Sequence, residues 1–328
     1  MEKTRREFLK CSLAAAAGAV MLDPRSGASD GLQSSPLPEA AQDGSPLSRV
    51  IRVVSDKVLP LRTVQRPHLK DCITQGLRGF TGLSDTRDAW HRLLQPDDVV
   101  LIKFSQSGAD QIGTTPPMVA ELFASLNAAG WAPEQLMLLE AGAEDETARK
   151  TRPPDLRWQG REVRFGQCGQ DSLLAALDQA TAIINVPFLK THHLATMTCA
   201  LKNLSHGLIR HPARFHANGC NPAIAEIVAS EPIKNKMRLT IVNALRVVAD
   251  LAPEIRERDL HAAGTLFFGT DAVACDAAGY GLLNEIRSLR HLPPLLPDAR
   301  LPAYMATAAR MGLGQVDSAR IDIRRVDL

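Results

Sequence analysis

The chain has few aromatic residues, which make up 4% of its 328 positions. Platforms that bind single-stranded nucleic acids stack successive bases on aromatic rings, so we expect no nucleic-acid partner. Hydrophobic residues make up 45% of the chain and charged residues 23%, which is typical of a globular protein with a sizeable core. The net charge of +2 is small for this length, so any strongly positive surface must be local.

A C-x-x-C motif is also missing from the sequence. The cysteines beyond the N-terminal segment lie far apart in the chain, and they are Cys72, Cys168, Cys199, Cys220 and Cys275. Iron–sulfur clusters and four-thiolate zinc sites usually draw on closely spaced cysteines. We therefore expect no intrinsic iron–sulfur cluster, and the sequence identifies no other cofactor. The spacing assigns no disulfide.

Apolar runs long enough for a stable membrane anchor are absent as well, since the stretch Leu13–Leu22 is too short to span a bilayer. It follows Arg5-Arg6 and Phe8-Leu9-Lys10, an order that resembles the twin-arginine export signal. An ordinary basic, amphipathic N-terminal helix is the alternative interpretation.

We interpret residues 1–28 as a twin-arginine signal peptide. Residues 29–46 are rich in Ser, Gly, Pro, Asp and Ala, a composition typical of a flexible tether. This interpretation predicts the twin-arginine translocase as a partner during export, and it predicts a periplasmic location.

Strand and helix patterns alternate through residues 47–328. They predict an α/β fold with a mainly parallel sheet flanked by helices, Rossmann-like and forming a single large domain. The clearest buried strands are the apolar runs Asp97–Lys103, Leu136–Leu139 and Ala182–Val186.

Two helix predictions depend on local signals. Thr114, followed by Thr115-Pro116, predicts a capped helix start, and Gly130 predicts the end of that helix. The pattern over Ser172–Gln179 predicts a short helix.

Acidic residues are missing from Gln179 to Ala225, although Asp and Glu make up 36 of the 328 residues. Five of the nine histidines lie between Ile183 and His216, within this stretch. Open α/β sheets bind ligands at the carboxyl ends of their strands, and Pro187 ends the Ala182–Val186 strand here. The sequence therefore predicts a basic, histidine-rich site at that edge of the sheet.

This stretch resembles the family catalogued as domain of unknown function 362. The resemblance rests on Asn185, Pro187, Lys190, Thr191, His192, Thr198, Leu201-Lys202-Asn203-Leu204 and Gly207. Further matching pieces are Val100-Leu101-Ile102-Lys103, Thr115-Pro116, Gly269-x-Asp271-x-Val273-Ala274-x-Asp276 and Met311-Gly312-Leu313-Gly314. The resemblance covers about residues 65–328 and implies a fold and a site, but no general reaction.

This chain departs from the family pattern in several respects. Ile241-Val242-Asn243-Ala244 stands where the family often has an Asp, and the Gly-Pro-rich loop that often follows is absent. Lys103-Phe104-Ser105 stands where the family often has Lys-Pro-Asn, and the ferredoxin-type cysteines of some relatives are absent.

Several of the candidate site residues suit the recognition of a small anion. Lysines provide flexible positive charges for phosphate or carboxylate groups, and neutral side chains beside them provide further hydrogen bonds. We predict that the ligand-binding residues include Lys103, Asn185, Lys190, Thr191, Lys202 and Asn203. Lys103 and Glu140 stand at the ends of two predicted strands and share one rim if these strands are parallel. Lys190 and Lys202 are expected to be exposed.

His192 is the predicted catalytic residue, since a histidine of near-neutral pKa can transfer a proton. His193 follows it directly and should point in a different direction in any regular structure. A metal site is an alternative use of these residues. It would combine His192 with His206, His211 or His216 and an acid from Asp271 or Asp276, and no compact metal motif supports it.

Asp271 and Asp276 complete the predicted ligand-binding set. Asp271 also stands where an N-cap residue would open a helix. Asp276 lies among alanines and valine, and a buried acid needs a partner, for which Lys190 and Lys202 are candidates.

These expectations favour an exported protein with a basic site, an enzyme acting on or through a small anionic ligand or cofactor. The alternative is a non-catalytic periplasmic protein that binds an anion or handles a metal.

Overall fold

The structure, a computed structural model, describes residues 47–60, 63–142, 146–250 and 255–328. The predicted signal peptide and tether, residues 1–46, lie outside the described residues, so both stay predictions. Among the helices described, none has the length and apolar character needed to cross a membrane.

The strands of the described chain form one large sheet and one small sheet. In chain order they are β1 (Ser48–Val54), β2 (Val100–Phe104), β3 (Leu136–Leu139), β4 (Trp158–Phe165), β5 (Gly169–Leu174), β6 (Ala182–Val186), β7 (Phe188–His192), β8 (Thr196–Thr198), β9 (Met237–Val248), β10 (Leu260–Gly269) and β11 (Ile321–Asp327). The large sheet has the order β11-β1-β10-β9-β6-β2-β3, and β7 pairs with both β9 and β8. β4 and β5 form the separate small sheet.

Most neighbours in the large sheet run parallel. The pairs β2–β3, β2–β6, β6–β9, β7–β9 and β1–β11 are parallel, whereas β10 is antiparallel to β1 and β9, and β8 is antiparallel to β7. The prediction of an α/β fold with a mainly parallel sheet in a single domain is confirmed.

The helices of the described chain flank this sheet. They are α1 (Arg66–Thr81), α2 (Thr86–Leu93), α3 (Ala109–Ile112), α4 (Thr115–Ala129), α5 (Ala176–Gln179), α6 (Ala200–His206), α7 (Ala217–Cys220), α8 (Ala223–Val228), α9 (Glu231–Lys234), α10 (Ala272–Leu289) and α11 (Ala303–Arg310).

Two hydrophobic cores cover the two faces of the sheet. Alternate residues of β2 belong to different cores, since Leu101 contributes to one and Val100 and Ile102 to the other. Side chains of a strand alternate between the faces, so a sheet that is covered on both sides needs a nearly continuous apolar strand. This requirement explains why the apolar runs predicted the central strands well.

β9 is long enough to pair with two strands placed end to end. β6 pairs with its first half, where Ile184 lies opposite Leu239, and β7 pairs with its second half, where Phe188 lies opposite Asn243. Pro187 separates β6 from β7, and its carbonyl accepts a 2.8 Å hydrogen bond from Asn243 N. β7 therefore continues along β9 where β6 has ended. Its polar residues Lys190, Thr191 and His192 lie past the end of β6.

The predicted helix over Ser172–Gln179 is wrong in its first half. Residues up to Leu174 belong to β5, which pairs antiparallel with β4, and helix α5 begins only at Ala176. Pairing with β4 and burial of Leu173 outweigh the local helical pattern.

The helix ending at Gly130 is confirmed, and Gly130 takes the left-handed conformation with φ 116°. Thr114 does precede this helix, but its side chain forms no cap. The Thr114 hydroxyl instead accepts a 2.9 Å hydrogen bond from Asn243 Nδ2, which ties the helix to β9.

Candidate functional site

Lys190 and His192 project from the same face of β7. They are two residues apart on this strand, and side chains of a strand repeat every second position. β8 runs back antiparallel to β7, with Lys190 opposite Thr198, and α6 begins directly afterwards. This return brings Lys202 on α6 close to the two β7 side chains.

The Lys190 ammonium donates hydrogen bonds to one residue of the loop after β2. Its Nζ lies 2.7 Å from the Ser107 carbonyl oxygen and 2.9 Å from Ser107 Oγ. Burial lowers the pKa of Lys190 from its ordinary value to about 8.

Lys202 lies in a similar environment. Its Nζ is 3.3 Å from His216 Nε2, and burial, opposed by Cys220 and reinforced by the charge of Lys190, lowers its pKa to about 8. Lys190 and Lys202 are therefore close enough for their charges to repel each other.

The expectation that these lysines are exposed is wrong. Lys190 is 7% exposed and Lys202 6% exposed, because β8 and α6 fold back over the end of β7. Neither forms an ion pair with a carboxylate in the part of the chain that the structure describes. Buried charges in proteins are normally paired, so these two lysines carry positive charge that nearby protein groups leave unbalanced.

His192 has one ring nitrogen fully used by the backbone. Its Nδ1 accepts hydrogen bonds from Leu194 N at 3.2 Å and Ala195 N at 3.1 Å. Backbone N–H groups only donate, so the neutral ring carries its proton on Nε2. Burial first, and then the charge of Lys202, lowers the pKa of His192 to about 3.

The histidines around the two lysines form a row of contacting rings. His192 stacks on His193 at 5.0 Å between ring centroids and on His216 at 5.7 Å, and His206 meets His216 edge-on at 4.6 Å. The expectation that His192 and His193 diverge is therefore wrong, because β7 ends at His192 and the alternation of a strand no longer applies to His193. We call Lys190, Lys202, His192, His193 and His216 the basic pocket.

Lys103 lies in a different, fully paired environment. Its ammonium is 0% exposed and donates to the Phe104 carbonyl at 2.6 Å, to Glu140 Oε2 at 2.9 Å and to Asn203 Oδ1 at 3.1 Å. Glu140 follows β3, which is parallel to β2, so the expectation that Lys103 and Glu140 share one rim is confirmed. Burial lowers the pKa of Lys103, and Glu140 opposes this shift.

Asn203 is the centre of this buried network. Its Oδ1 also accepts from Ser105 Oγ at 2.8 Å, and its Nδ2 donates to Asn185 Oδ1 at 2.8 Å and to the Lys103 carbonyl at 3.3 Å. These bonds use all four hydrogen-bonding positions of the amide. Lys202 and Asn203 are adjacent on α6 and point about 100° apart, so one faces the basic pocket and the other faces the network.

The network and the basic pocket share the loop after β2. Ser105 Oγ accepts a 3.2 Å hydrogen bond from Phe188 N and donates one to Asn203 Oδ1. Ser107, in the same loop, accepts a hydrogen bond from the Lys190 ammonium. Asn185, whose Nδ2 donates to the Ala200 carbonyl at 3.1 Å, connects the network to the start of α6. The network therefore fixes the loop and the helix between which the pocket lies.

Two further predicted ligand-binding residues, Thr191 and Asp271, also have structural partners. Thr191 projects from the other face of β7 and donates to the Asp250 carbonyl at 2.6 Å. Asp271 caps α10 by accepting from Val273 N at 2.8 Å and Ala274 N at 2.9 Å.

The expected pairing of Asp276 with Lys190 or Lys202 is wrong. Asp276 is fully buried and accepts from Ala200 N at 2.6 Å and Leu201 N at 3.4 Å, the first two residues of α6. Burial raises its pKa from the ordinary value to about 7.

A set of metal-ligating side chains lies beside the basic pocket. One donor atom each from His206, His216 and Cys220 lies within 4.8 Å of the other two. Neither acid proposed for a metal site belongs to this set, and His211 instead contacts Asp171 Oδ1 at 2.9 Å. Cys220 was not among the predicted metal ligands, although it lies only four positions after His216.

Together these features define an α/β protein with a lysine- and histidine-lined site beside the carboxyl ends of its parallel strands. Residues 154–281 match the model of the family described as domain of unknown function (DUF362). This match supports the resemblance for that segment, which contains the basic pocket. No curated protein matches the chain.

Proposed function

We propose that the basic pocket binds a small anionic group, a phosphate or a carboxylate, and that the protein acts on or through the ligand that carries it. The observation that supports this proposal is that Lys190 and Lys202 are buried and have no carboxylate partner among the residues that the structure describes. An anion between them would balance their charge and accept charge-assisted hydrogen bonds from both ammonium groups.

In this proposal His192 holds the anion rather than transferring a proton. Its Nδ1 is occupied by two backbone N–H groups, and its low pKa keeps the ring neutral at physiological pH. The remaining Nε2–H is a hydrogen-bond donor, which suits an anion and provides no base.

We also propose export by the twin-arginine route into the periplasm. The support is the position of Arg5-Arg6 before Phe8-Leu9-Lys10. Replacing both arginines with lysine should leave the precursor in the cytoplasm, and normal accumulation of this variant in the periplasm would rule the route out.

Isothermal titration with inorganic phosphate and with acetate, at constant ionic strength, tests the anion site. Lys190→Ala and Lys202→Ala should each weaken binding of the preferred anion by about 1.5–3 kcal/mol, or roughly 10- to 150-fold, because each removes a charge-assisted hydrogen bond. Lys70→Ala is the matched control, since Lys70 is an exposed lysine on α1.

These titrations distinguish one anion site shared by Lys190 and Lys202 from two independent sites. If the lysines share one site, each chain binds one anion and both variants weaken that binding. Unchanged affinity in both pocket variants would contradict the proposal, as would equal losses in Lys70→Ala.

A further inference from the structure

We propose that His206, His216 and Cys220 form a binding site for a borderline-soft divalent transition-metal ion such as Zn²⁺. This inference goes beyond the anion site: His206 and Cys220 lie outside the basic pocket, and His216 belongs to both sets. The three side chains come from the end of α6, from the residue before α7 and from the end of α7. The donor set of two imidazoles and one thiol suits Zn²⁺, and the lack of a carboxylate in the set disfavours Ca²⁺ and Mg²⁺.

His206 provides the first support. Its Nδ1 contacts Ser205 Oγ at 2.9 Å, which leaves Nε2 as its second polar atom. This Nε2 is buried and has no hydrogen-bond partner in the part of the chain that the structure describes. Buried polar atoms are nearly always satisfied, so an unsatisfied imidazole nitrogen in a set of metal ligands indicates a missing partner.

The distances provide the second support. Tetrahedral zinc with bonds of about 2.0–2.3 Å places its donor atoms about 3.3–3.7 Å apart. The present upper limit of 4.8 Å is about 1 Å wider, a gap that rotation of two or three side chains closes.

The backbone before Cys220 provides the third support. Asn218, Gly219 and Cys220 take left-handed conformations, with φ 52°, 65° and 62°. This conformation is unfavourable for residues with a Cβ, and it turns the chain so that the Cys220 thiol returns towards His216.

Lys202 connects this site to the basic pocket. Its Nζ lies 3.3 Å from His216 Nε2 and must release this nitrogen when a metal binds there. Three protein ligands leave the fourth position of a tetrahedral ion open. The displaced ammonium would then lie beside that position and attract an anionic fourth ligand.

Titration of the full chain with Co²⁺, after removal of metals with a chelator and with thiols kept reduced, tests the inference. We expect one Co²⁺ per chain, with the visible bands of a tetrahedral ion and a thiolate-to-cobalt charge-transfer band, all lost when Zn²⁺ is added. Cys220→Ser should abolish the charge-transfer band and weaken Co²⁺ binding at least about tenfold. Cys168→Ser is the matched control, since Cys168 is a half-buried thiol between β4 and β5, and it should leave both unchanged.

A wild-type chain without stoichiometric Co²⁺ would overturn the inference, as would a charge-transfer band that persists in Cys220→Ser. If Cys220→Ser fails to fold, His206→Gln replaces it, and undiminished Co²⁺ binding in that variant would overturn the inference equally. Lys202→Ala separates the two proposals, since it should lose affinity for phosphate or acetate while still binding Co²⁺. Failure of the anion proposal would therefore leave the metal proposal intact, and failure of the metal proposal would leave the anion proposal intact.

Discussion

Three buried lysines, Lys103, Lys190 and Lys202, differ in how their charge is balanced. Lys103 has Glu140 at 2.9 Å and two oxygen acceptors besides. Lys190 and Lys202 have a hydroxyl, a carbonyl and an imidazole as partners, and no carboxylate among the described residues. The sequence shows all three simply as lysines next to predicted strands.

This difference distinguishes a structural role for Lys103 from a proposed ligand-binding role for Lys190 and Lys202. Removing a buried charge whose hydrogen bonds and ion pair are complete leaves its partners unsatisfied and destabilises the fold. A buried charge without a counter-charge opposes folding until a ligand balances it. Lys103→Met and Asn203→Ala change the paired side of this comparison, and Lys202→Ala changes the unpaired side.

Lys103→Met should have the largest effect on stability. It leaves Glu140 and the Asn203 carbonyl group without their cation, and we expect the free energy of unfolding to fall by about 2–4 kcal/mol. The value lies below that of a fully buried pair because the Glu140 side chain is 21% exposed. Urea denaturation measures it, with Lys70→Met as the control. A loss below about 1 kcal/mol would show that the pairing of Lys103 contributes little.

Asn203→Ala should reduce stability less than Lys103→Met. It allows a comparison with Lys202→Ala, the variant at the neighbouring position of α6. We expect a loss of about 1–3 kcal/mol in the free energy of unfolding, because the four hydrogen bonds of the amide vanish and buried partners are left unsatisfied. Its loss of affinity for phosphate or acetate should be smaller than its loss of stability. Lys202→Ala should show the opposite balance. Equal patterns in these neighbouring variants would contradict the division of α6 into a network side and a pocket side.

Asp276 predicts a smaller change that depends on pH. Its folded pKa of about 7 exceeds the ordinary unfolded value of 3.8, so the folded state holds this proton more tightly. Its contribution to stability is therefore complete below about pH 4 and is lost as pH rises through about 7. Between about pH 6 and pH 8 the loss should be about 1.4 kcal/mol.

Asp276→Asn isolates this contribution, because Asn keeps an acceptor for Ala200 N and does not titrate. His192 and His206, whose pKa values are lowered, contribute with the opposite sign in both proteins and cancel in the difference. Urea denaturation at several pH values should show the stability of wild type relative to Asp276→Asn falling as pH rises. A difference independent of pH would contradict the raised pKa.

The sequence predicted those parts of the molecule whose causes are local or periodic. Apolar runs located β2, β3 and β6 because a sheet covered on both faces needs them. The sequence did not predict β7, so it did not show that Lys190 and His192 share one face of a strand.

Other features depend on contacts that leave no mark in the sequence. The partners of Asp276 are backbone N–H groups of α6, which no side-chain pattern reveals, and the predicted lysine partner was therefore wrong. Cys220 approaches His216 through left-handed residues that the sequence did not suggest. The burial of Lys190 and Lys202 comes from the return of β8 and α6, a tertiary feature.

The most direct test of the unbalanced lysine pair compares the unfolding of wild type with that of Lys190→Met/Lys202→Met, with and without inorganic phosphate. Without phosphate the double variant should be as stable as wild type or more stable, because it removes two buried cations that repel each other. Phosphate at about ten times its dissociation constant should stabilise wild type by about 1.4 kcal/mol and leave the double variant unchanged, so that the difference in stability shifts towards wild type. A double variant that loses several kcal/mol without phosphate, together with no stabilisation of wild type by phosphate, would contradict the account and place these lysines with Lys103.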